Sequence, residues 1–275
     1  YGSHVCVELL INAKADVDSK SKKGDTALGL AALCGDTASV NVLLRAKADI
    51  EAKNAYGNTP LMLACIFGET PCVEALLNAK ADIHSMTDDG STALTCAAYH
   101  NCIWIVELLL DAKAALEPKQ NCETPLHAAV QKGYPVAEDL IEAKANIEAM
   151  DADDWTPLMT AAYCGHFKSV KTLIDAKANI LPKPSKDNFT LLMCAAIHGE
   201  TAYLKLFLDA KADVNSQTEV GWTALHYAVR YKHAACVQLL VEAKAELEIK
   251  DFEEDATPLY TACLEDSRDV LEKLI

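Results

Sequence analysis

Residues 59–68 read Thr-Pro-Leu-Met-Leu-Ala-Cys-Ile-Phe-Gly, and this stretch carries most of the information needed to predict the fold. Thr59 is a residue type that caps helix starts, and Pro60 suits the first helical position, where its missing N–H needs no partner. The apolar residues that follow lie three and four apart, as on one face of a helix. Gly68 is expected to end that helix, and the apolar spacing of residues 71–78 predicts a second one. The stretch therefore predicts a pair of short helices joined by a tight turn.

The same pattern recurs along the chain at a nearly constant period. A threonine followed by Leu two residues later and by Ala five residues later occurs at Thr26, Thr59, Thr92, Thr124, Thr156, Thr190, Thr223 and Thr257. Successive threonines are 32 to 34 residues apart. A second marker, Ala-Lys-Ala, recurs in the same register, with its lysine at Lys14, Lys47, Lys80, Lys113, Lys144, Lys177, Lys211 and Lys244. A two-helix unit of this size cannot bury its apolar faces alone, so the units are expected to stack on one another.

These repeats resemble the ankyrin repeat, which has a period of about 33 residues and the hallmark Thr-Pro-Leu-His-x-Ala. The closest copies are residues 124–129 (TPLHAA) and 223–228 (TALHYA). The resemblance implies an all-α solenoid of antiparallel helix pairs, with β-turn fingers between repeats and a concave face that holds other proteins. On this basis residues 1–275 form a single array. A partial repeat at 1–21 is followed by repeats that begin near residues 22, 55, 88, 120, 152, 186, 219 and 253, the last of them truncated.

The array departs from the family pattern at two positions. The His of the hallmark is replaced by Gly29, Met62, Thr95, Met159, Met193 and Tyr260, so the hydrogen bonds of that His are not expected there. The family usually places Gly between the two alanines that end the second helix, whereas every copy here has Lys. A lysine in the left-handed conformation that suits Gly costs on the order of 1 kcal/mol, and a cation at a helix C-terminus recovers roughly 0.3–1 kcal/mol of that. We interpret the lysine as a feature spread by duplication, not as a functional site.

Composition and charge fit a packed protein and argue against several classes of partner. Hydrophobic residues make up 51% of the chain and charged residues 24%, as in folded proteins. The formal net charge is −15 and the isoelectric point is near 4.9, so the surface is expected to repel nucleic acid and anionic membranes. No apolar run reaches the about 20 residues that a membrane-spanning helix needs, and no targeting segment is recognisable from Tyr1 onward.

The cysteines and the two chain ends give expectations about context. The chain has 11 cysteines, no Cys-x-x-Cys, and most of these residues lie in apolar helical patterns. We therefore expect free thiols in an intracellular, reducing compartment, most simply the cytoplasm. Residues 4–15 match only a second helix and its tail, and the last repeat stops at Ile275 before its Ala-Lys-Ala. The chain is accordingly expected to be a segment of a longer array or of a larger protein.

No pattern in the sequence predicts catalysis, a cofactor or a metal site. Cys96 and His100, like Cys194 and His198, lie four residues apart on a predicted helix, but zinc takes three or four ligands. Cys164 and His198 occupy equivalent positions in neighbouring repeats. We interpret these residues as core residues. The acidic runs at 151–154 and 253–255 lack the spacing of a calcium loop and are interpreted as solvated turns. Neither a phosphate-binding loop nor a nucleophile triad is recognisable, so the chain is expected not to be an enzyme.

The resemblance assigns partner contact to positions just before each threonine and to the end of each first helix. Eight of the chain's 17 aromatic residues fall on such positions. These candidate partner-binding residues are Tyr56, Phe67, Tyr99, Trp155, Tyr163, Phe189, Trp222 and Tyr231. Aromatic rings are common interface anchors, and packing within the fold is the alternative role for the same rings.

The sequence thus favours a non-enzymatic interaction module. It would act as a scaffold or adaptor, or as a subunit of a larger complex, and hold a protein or peptide partner on the concave face and fingers. The alternative is a regulatory or targeting segment of a larger enzyme or membrane protein whose active part lies outside this chain. A structural spacer between other domains is the third hypothesis.

Overall fold

The structure is a computed structural model, and it describes residues 3–117, 122–183, 185–265, 269, 270 and 273. Within these residues it contains sixteen helices and no β-strand. The helices are α1 (Ser3–Asn12), α2 (Ala27–Leu33), α3 (Thr37–Arg45), α4 (Pro60–Phe67), α5 (Thr70–Asn78), α6 (Ala93–Tyr99), α7 (Ile103–Asp111), α8 (Pro125–Gln131), α9 (Val136–Glu142), α10 (Pro157–Tyr163), α11 (Phe167–Asp175), α12 (Leu191–His198), α13 (Thr201–Asp209), α14 (Ala224–Arg230), α15 (Ala234–Glu242) and α16 (Pro258–Leu264). The all-α fold expected from the repeat is therefore confirmed.

The chain divides into two compact units, unit 1 at residues 1–146 and unit 2 at residues 147–275. In unit 1 the first helices α2, α4, α6 and α8 contact one another in order, and the second helices α1, α3, α5, α7 and α9 do the same. In unit 2 the first helices α10, α12, α14 and α16 contact one another in order, and α13 contacts α15. Each unit is thus built from stacked helix pairs, and the single array expected over 1–275 stays a prediction. The start of the repeat expected near residue 120 lies outside the described residues, as does most of the chain after residue 265.

Every first helix of the eight repeats begins at its threonine, as the sequence predicts. Each threonine has an extended backbone, and its side-chain oxygen accepts a hydrogen bond from the backbone N–H three residues later. This bond satisfies a donor that would otherwise have no partner at the helix start, typically worth about 1 kcal/mol. The Leu two residues further on is at most 1% exposed in the first seven repeats, whereas Leu259 of the eighth is 42% exposed. The repeat motif therefore supplies both the start of each first helix and its buried face.

Every Ala-Lys-Ala segment ends a second helix in the left-handed conformation. The eight lysines have φ between 63° and 73°, a region that disfavours residues with a Cβ. In α5, for example, Lys80 N–H donates to Leu77 at 3.0 Å, and Ala81 N–H donates to Leu76 at 3.0 Å. These two bonds form a Schellman motif, and the other seven segments contain the same pair. The lysine thus occupies the position that the family usually gives to Gly. The steric strain of its Cβ in this conformation lowers the stability of each repeat.

A row of side chains next to these junctions joins consecutive repeats within each unit. In each case a side-chain oxygen accepts a hydrogen bond from a backbone N–H that lies 29 to 31 residues later. The pairs are Asp18–Asp49 at 2.8 Å, Glu51–Asp82, Glu117–Asn146 and Glu148–Asn179 at 2.7 Å, and Asn215–Glu246 at 2.9 Å. His84 and Leu181 hold the same position without an acid or amide side chain. The row is therefore interrupted once in unit 1 and once in unit 2.

The fingers are short turns that close on themselves just before each threonine. In unit 2 a side-chain oxygen at the start of the finger accepts a hydrogen bond from the backbone N–H four residues later. The pairs are Asp151–Trp155 at 2.9 Å, Ser185–Phe189 at 3.0 Å and Thr218–Trp222 at 3.2 Å. Neighbouring fingers are also joined through the backbone, since Glu219 N–H donates to the Asp187 carbonyl at 3.2 Å. These bonds fix the residue before each threonine in the same place in successive repeats.

Candidate functional site

The eight candidate aromatic residues occupy two kinds of place. Phe67, Tyr99 and Tyr163 are the last residues of α4, α6 and α10, and Tyr231 directly follows α14. The other four, Tyr56, Trp155, Phe189 and Trp222, lie on the fingers. In each unit these residues belong to the surface that its first helices and fingers form, which we call the finger face of that unit. Their exposure differs widely, however, from 70% for Tyr56 to 9% for Phe189.

In unit 2 the rings stack on one another. The ring centroid of Phe189 lies 5.7 Å from that of Trp155 in a stacked arrangement and 5.5 Å from that of Tyr163 edge to face. Trp155 and Tyr163 are also in edge-to-face contact, with centroids 5.0 Å apart. Such pairs contribute about 0.5–1.5 kcal/mol beyond the apolar area they bury. Because Phe189 is buried in this cluster, it offers a partner little surface, whereas Tyr163 remains 50% exposed.

Tyr227 extends this cluster of rings, although its place in the repeat did not predict such a role. Its ring centroid lies 5.4 Å from that of Phe189 and 5.1 Å from that of Trp222. Burial raises the pKa of the Tyr227 hydroxyl above its ordinary value. The rings before three consecutive threonines are thus joined into one cluster, and the connection runs through a helix residue four positions after Thr223.

In unit 1 the corresponding region is an open cavity. Its volume is about 450 Å³, and it is lined by finger residues, among them Tyr56, Asp89 and Glu123, and by helix residues, among them Tyr99 and His100. Tyr56 is 70% exposed and Phe67 is 54% exposed, and neither ring contacts another ring within the part of the chain that the structure describes. Tyr56 and Phe67 are therefore exposed individually.

The charges around this cavity are arranged so that negative charge dominates. The Thr87 hydroxyl donates to Asp89 Oδ1, and Ser91 N–H donates to the same oxygen at 3.2 Å. The bond from Thr87 is the main reason that the pKa of the Asp89 carboxyl is lowered. Burial, reinforced by the nearby Lys132 charge, lowers the pKa of the His100 imidazole. At neutral pH the aspartate is therefore ionised and the imidazole uncharged.

One cation already lies on an aromatic ring at the edge of this region. The Lys132 Nζ atom is 4.3 Å from the centroid of the Tyr99 ring, within the range of a cation–π interaction. His100 also contacts the Tyr99 ring, with its ring centroid 5.2 Å away in an edge-to-face arrangement. The Tyr99 ring is thus placed by its neighbours, whereas Tyr56 is free of ring contacts among the described residues.

The Cys and His pairs singled out in the sequence do not form a metal site in the described residues. No group of three or more His, Cys, Asp and Glu side chains in that part of the chain is arranged to hold a metal ion. His198 Nε2 donates instead to the Tyr163 carbonyl at 2.7 Å, and the structure places it against Gly165, where an added Cβ would lie 2.9 Å from the imidazole. Burial raises the pKa of the Cys96 thiol to about 12, which makes it a poor nucleophile at neutral pH.

The acidic runs on the fingers act in turn formation. Asp151 Oδ1 accepts backbone hydrogen bonds from Asp153 and Trp155, both at 2.9 Å. Asp251 Oδ1 accepts from Glu254 at 2.9 Å and Ala256 at 3.1 Å. Both carboxylates therefore stabilise their own turns; Asp151 belongs to the first acidic run, and Asp251 lies just before the second.

A comparison with protein families identifies the repeat. The family described as "Ankyrin repeats (3 copies)" matches residues 29–122, 80–151, 114–184 and 192–275, which together cover most of the chain. The chain belongs to the ankyrin-repeat family. A comparison with curated proteins gives no significant match.

Ankyrin repeats are generally protein–protein interaction modules, and this defines the coarse function of the chain. Nothing in the helices described here is both long and apolar enough to cross a membrane. All eleven cysteines lie in the described residues, and no disulfide joins any of them. Each unit of ankyrin repeats therefore has its own finger face, with a cluster of contacting rings in unit 2 and an open, acidic cavity in unit 1.

Proposed function

We propose that the chain is a scaffold or adaptor module, working alone or as a subunit of a larger complex, that holds a protein or peptide partner on its finger face. The observation that supports this most directly is the exposure of single large rings on that face: Tyr56, Phe67, Tyr163 and Tyr231 are 70%, 54%, 50% and 52% exposed. Large aromatic side chains are the commonest anchors of protein interfaces. Covering such an exposed ring with a partner removes apolar surface from water, which is favourable in free energy.

The contacts proposed in unit 2 are Trp155, Tyr163, Trp222 and Tyr231, with Phe189 supporting them from below. Trp155 and Trp222 are half-buried, so part of each ring is open to a partner. In unit 1 the proposed contacts are Tyr56, Phe67 and Tyr99. Because a ring that is already fixed by its neighbours loses little conformational freedom on binding, the stacked rings are suited to act as rigid anchors.

We place the protein in a reducing compartment. Its eleven cysteines form no disulfide in the described residues, and burial raises the pKa of Cys65 and Cys194, so these two side chains behave as apolar core groups. The net charge of −15 supports a protein partner over a nucleic acid.

The test is to capture the native partner with the purified chain, identify it by mass spectrometry, and measure its affinity for single variants. Tyr56→Ala and Tyr231→Ala remove exposed rings of the finger face, and each is expected to weaken binding by about 1–2 kcal/mol, that is roughly five- to thirtyfold. The matched control is Trp104→Ala, which removes a ring that is 74% exposed on the second helix α7. Melting temperatures measured beside the affinities separate binding from stability.

The outcome that contradicts the proposal is a partner that loses affinity with Trp104→Ala but binds both tyrosine variants normally. That result would place the partner on the second helices.

A further inference from the structure

The unit 1 cavity combines an open cleft with aromatic and acidic side chains. Its volume of about 450 Å³ falls within the roughly 300–1,000 Å³ of ligand clefts. The carboxylates of Asp89 and Glu123 line it, and among the described residues no lysine or arginine does. Its aromatic residues, Tyr56 and Tyr99, come from a finger and from a first helix, so they reach it from different elements.

We propose that this cavity binds a lysine or arginine side chain of the partner protein. The rings of Tyr56 and Tyr99 contact the aliphatic stem and the cation, and Asp89 carries the charge that pairs with it. An aromatic face and a carboxylate together suit a cation on a long stem, because the ring quadrupole and the negative charge attract the same group. The proposal deepens the interaction function proposed above and rests on it.

Three observations support a basic guest over a neutral or acidic one. Asp89 lines the cavity with an ionised carboxylate, which hydrogen bonds from Thr87 and Ser91 to Oδ1 hold in place. His100 lines the same cavity and is held uncharged, so it does not cancel the carboxylates. Lys132 shows that the Tyr99 ring accepts an ammonium group, at 4.3 Å from its centroid.

Lys132 also makes the proposal specific. Its charge lies next to the cavity without lining it, so it competes with a guest cation for the Tyr99 ring and repels it. Removing this charge is therefore expected to strengthen the binding of a basic guest. An acidic guest would show the opposite dependence, because it would lose an attractive charge.

The experiment is an NMR titration of the isotope-labelled full chain with three blocked amino acids: Nα-acetyl-arginine methylamide, Nα-acetyl-lysine methylamide and, as the uncharged isostere, Nα-acetyl-norleucine methylamide. The two basic probes are expected to bind with a Kd on the order of millimolar, as fits a single side chain. Their shift changes are expected at the amides of Tyr56, Asp89 and Tyr99. Norleucine is expected to leave these amides unchanged.

Two variants of equal charge change provide the control. Asp89→Asn is expected to raise the Kd of the arginine probe about two- to fivefold, the range of one exposed ion pair, whereas Asp88→Asn on the same finger is expected to leave it unchanged. Asp88 is exposed and does not line the cavity. Lys132→Ala is expected to lower the Kd.

The proposed binding site would be wrong if Asp88→Asn and Asp89→Asn changed the Kd of the arginine probe equally. It would also be wrong if the chemical shift changes were spread over all the fingers. In both cases the probe would be reporting the general acidity of the surface. Binding of norleucine as tight as that of arginine would equally overturn the proposed binding site. These failures are separate from a failure of the interaction function, which depends on how the captured partner responds to Tyr231→Ala and Trp104→Ala.

Discussion

The residue before the helix-capping threonine differs between the two units. In unit 1 it is Asn58, Ser91 and Glu123 in three successive repeats, and in unit 2 it is Trp155, Phe189 and Trp222. The three polar residues of unit 1 all line the open cavity. The three aromatic residues of unit 2 belong to one cluster of stacked rings. The same backbone position therefore lines an open cavity in unit 1 and contributes to a cluster of rings in unit 2. The fingers hold this position in a fixed place, so only the side chain differs.

The strongest test of this comparison is to remove a ring from each unit. Phe189→Ala is expected to lower the free energy of unfolding of unit 2 by about 3 kcal/mol, because the ring is 9% exposed and contacts three other rings. Tyr56→Ala in unit 1 is expected to change stability by less than about 0.5 kcal/mol. Hydrogen exchange of the amides in α12 and α14, compared with those in α4 and α6, would measure both effects. A loss of similar size in the two units would contradict the comparison.

A second difference between repeats concerns pH. In unit 2 the His226 Nδ1 atom accepts hydrogen bonds from the Thr223 backbone N–H at 3.2 Å and hydroxyl at 2.9 Å, and its Nε2–H donates to the Ala256 carbonyl at 3.3 Å. Burial lowers the pKa of this imidazole from its ordinary value of 6.5. Below about pH 6.5 the unfolded chain takes up a proton that the folded ring resists, so this residue's stabilisation is complete above that pH and falls as the pH drops toward the lowered pKa.

His226→Met gives this residue the side chain found at the same repeat position in Met62, Met159 and Met193. The variant is expected to cost about 1 kcal/mol at pH 7.5, from the lost hydrogen bonds, and less at pH 5.5. Denaturant unfolding at the two pH values would measure it. If the difference between variant and wild type stays the same at both pH values, the ring does not resist protonation in the folded state.

The helix ends are expected to behave alike in the two units. Lys80 in unit 1 and Lys211 in unit 2 have φ of 69° and 70°, so replacing either by Gly relieves the same steric strain. Because Gly also adds freedom to the unfolded chain, each variant is expected to be stabilised by at most about 1 kcal/mol. The matched control is Lys80→Ala, which keeps a Cβ and is expected to gain little. Destabilisation of both glycine variants would reveal a contact of the lysine side chain that outweighs the strain.

The smallest expected effect concerns the interrupted row of side chains between repeats. Leu181 holds the position that Glu148 holds one repeat earlier, it is 44% exposed, and it lines a cavity together with Asp213. Leu181→Glu is expected to stabilise unit 2 by about 0.5 kcal/mol, because the new carboxylate can accept a hydrogen bond from the Asp213 N–H. Leu181→Gln serves as the uncharged comparison. An unchanged melting temperature in both variants would show that the row contributes nothing measurable at this position.

Much of the fold could be predicted from the sequence because its local chemistry repeats. Thr59 predicted a capped helix start, and the structure contains it. Lys80 marked a helix end at which the family usually has Gly, and the structure shows it in the left-handed conformation. The links between repeats were harder to predict, because Glu51 and Asp82 pair across 31 residues and neither position is unusual within its own repeat. Only a comparison of the copies, with acids at the same place in several of them, would have suggested the row.

The candidate site was predictable by position but not by exposure. Register alone selected both Tyr56 and Phe189, yet one ring is open and the other buried, because exposure depends on which side chains neighbouring repeats supply. Tyr227 was missed because it lies inside a helix, where the family pattern assigns no partner contact. The Asp89 and Glu123 pair was missed because the two residues belong to different fingers and meet only through the cavity between them.

The eight left-handed lysines bear on how much stability the chain can give up. At about 1 kcal/mol each, their combined steric cost is similar to the roughly 5–15 kcal/mol of net stability that a typical domain possesses. A sequence can keep such a cost in every repeat only if stacking supplies a surplus beyond what folding requires. The lysines at the helix ends therefore indicate that the free energy of unfolding exceeds what folding requires. We expect these repeats to tolerate other destabilising substitutions without unfolding.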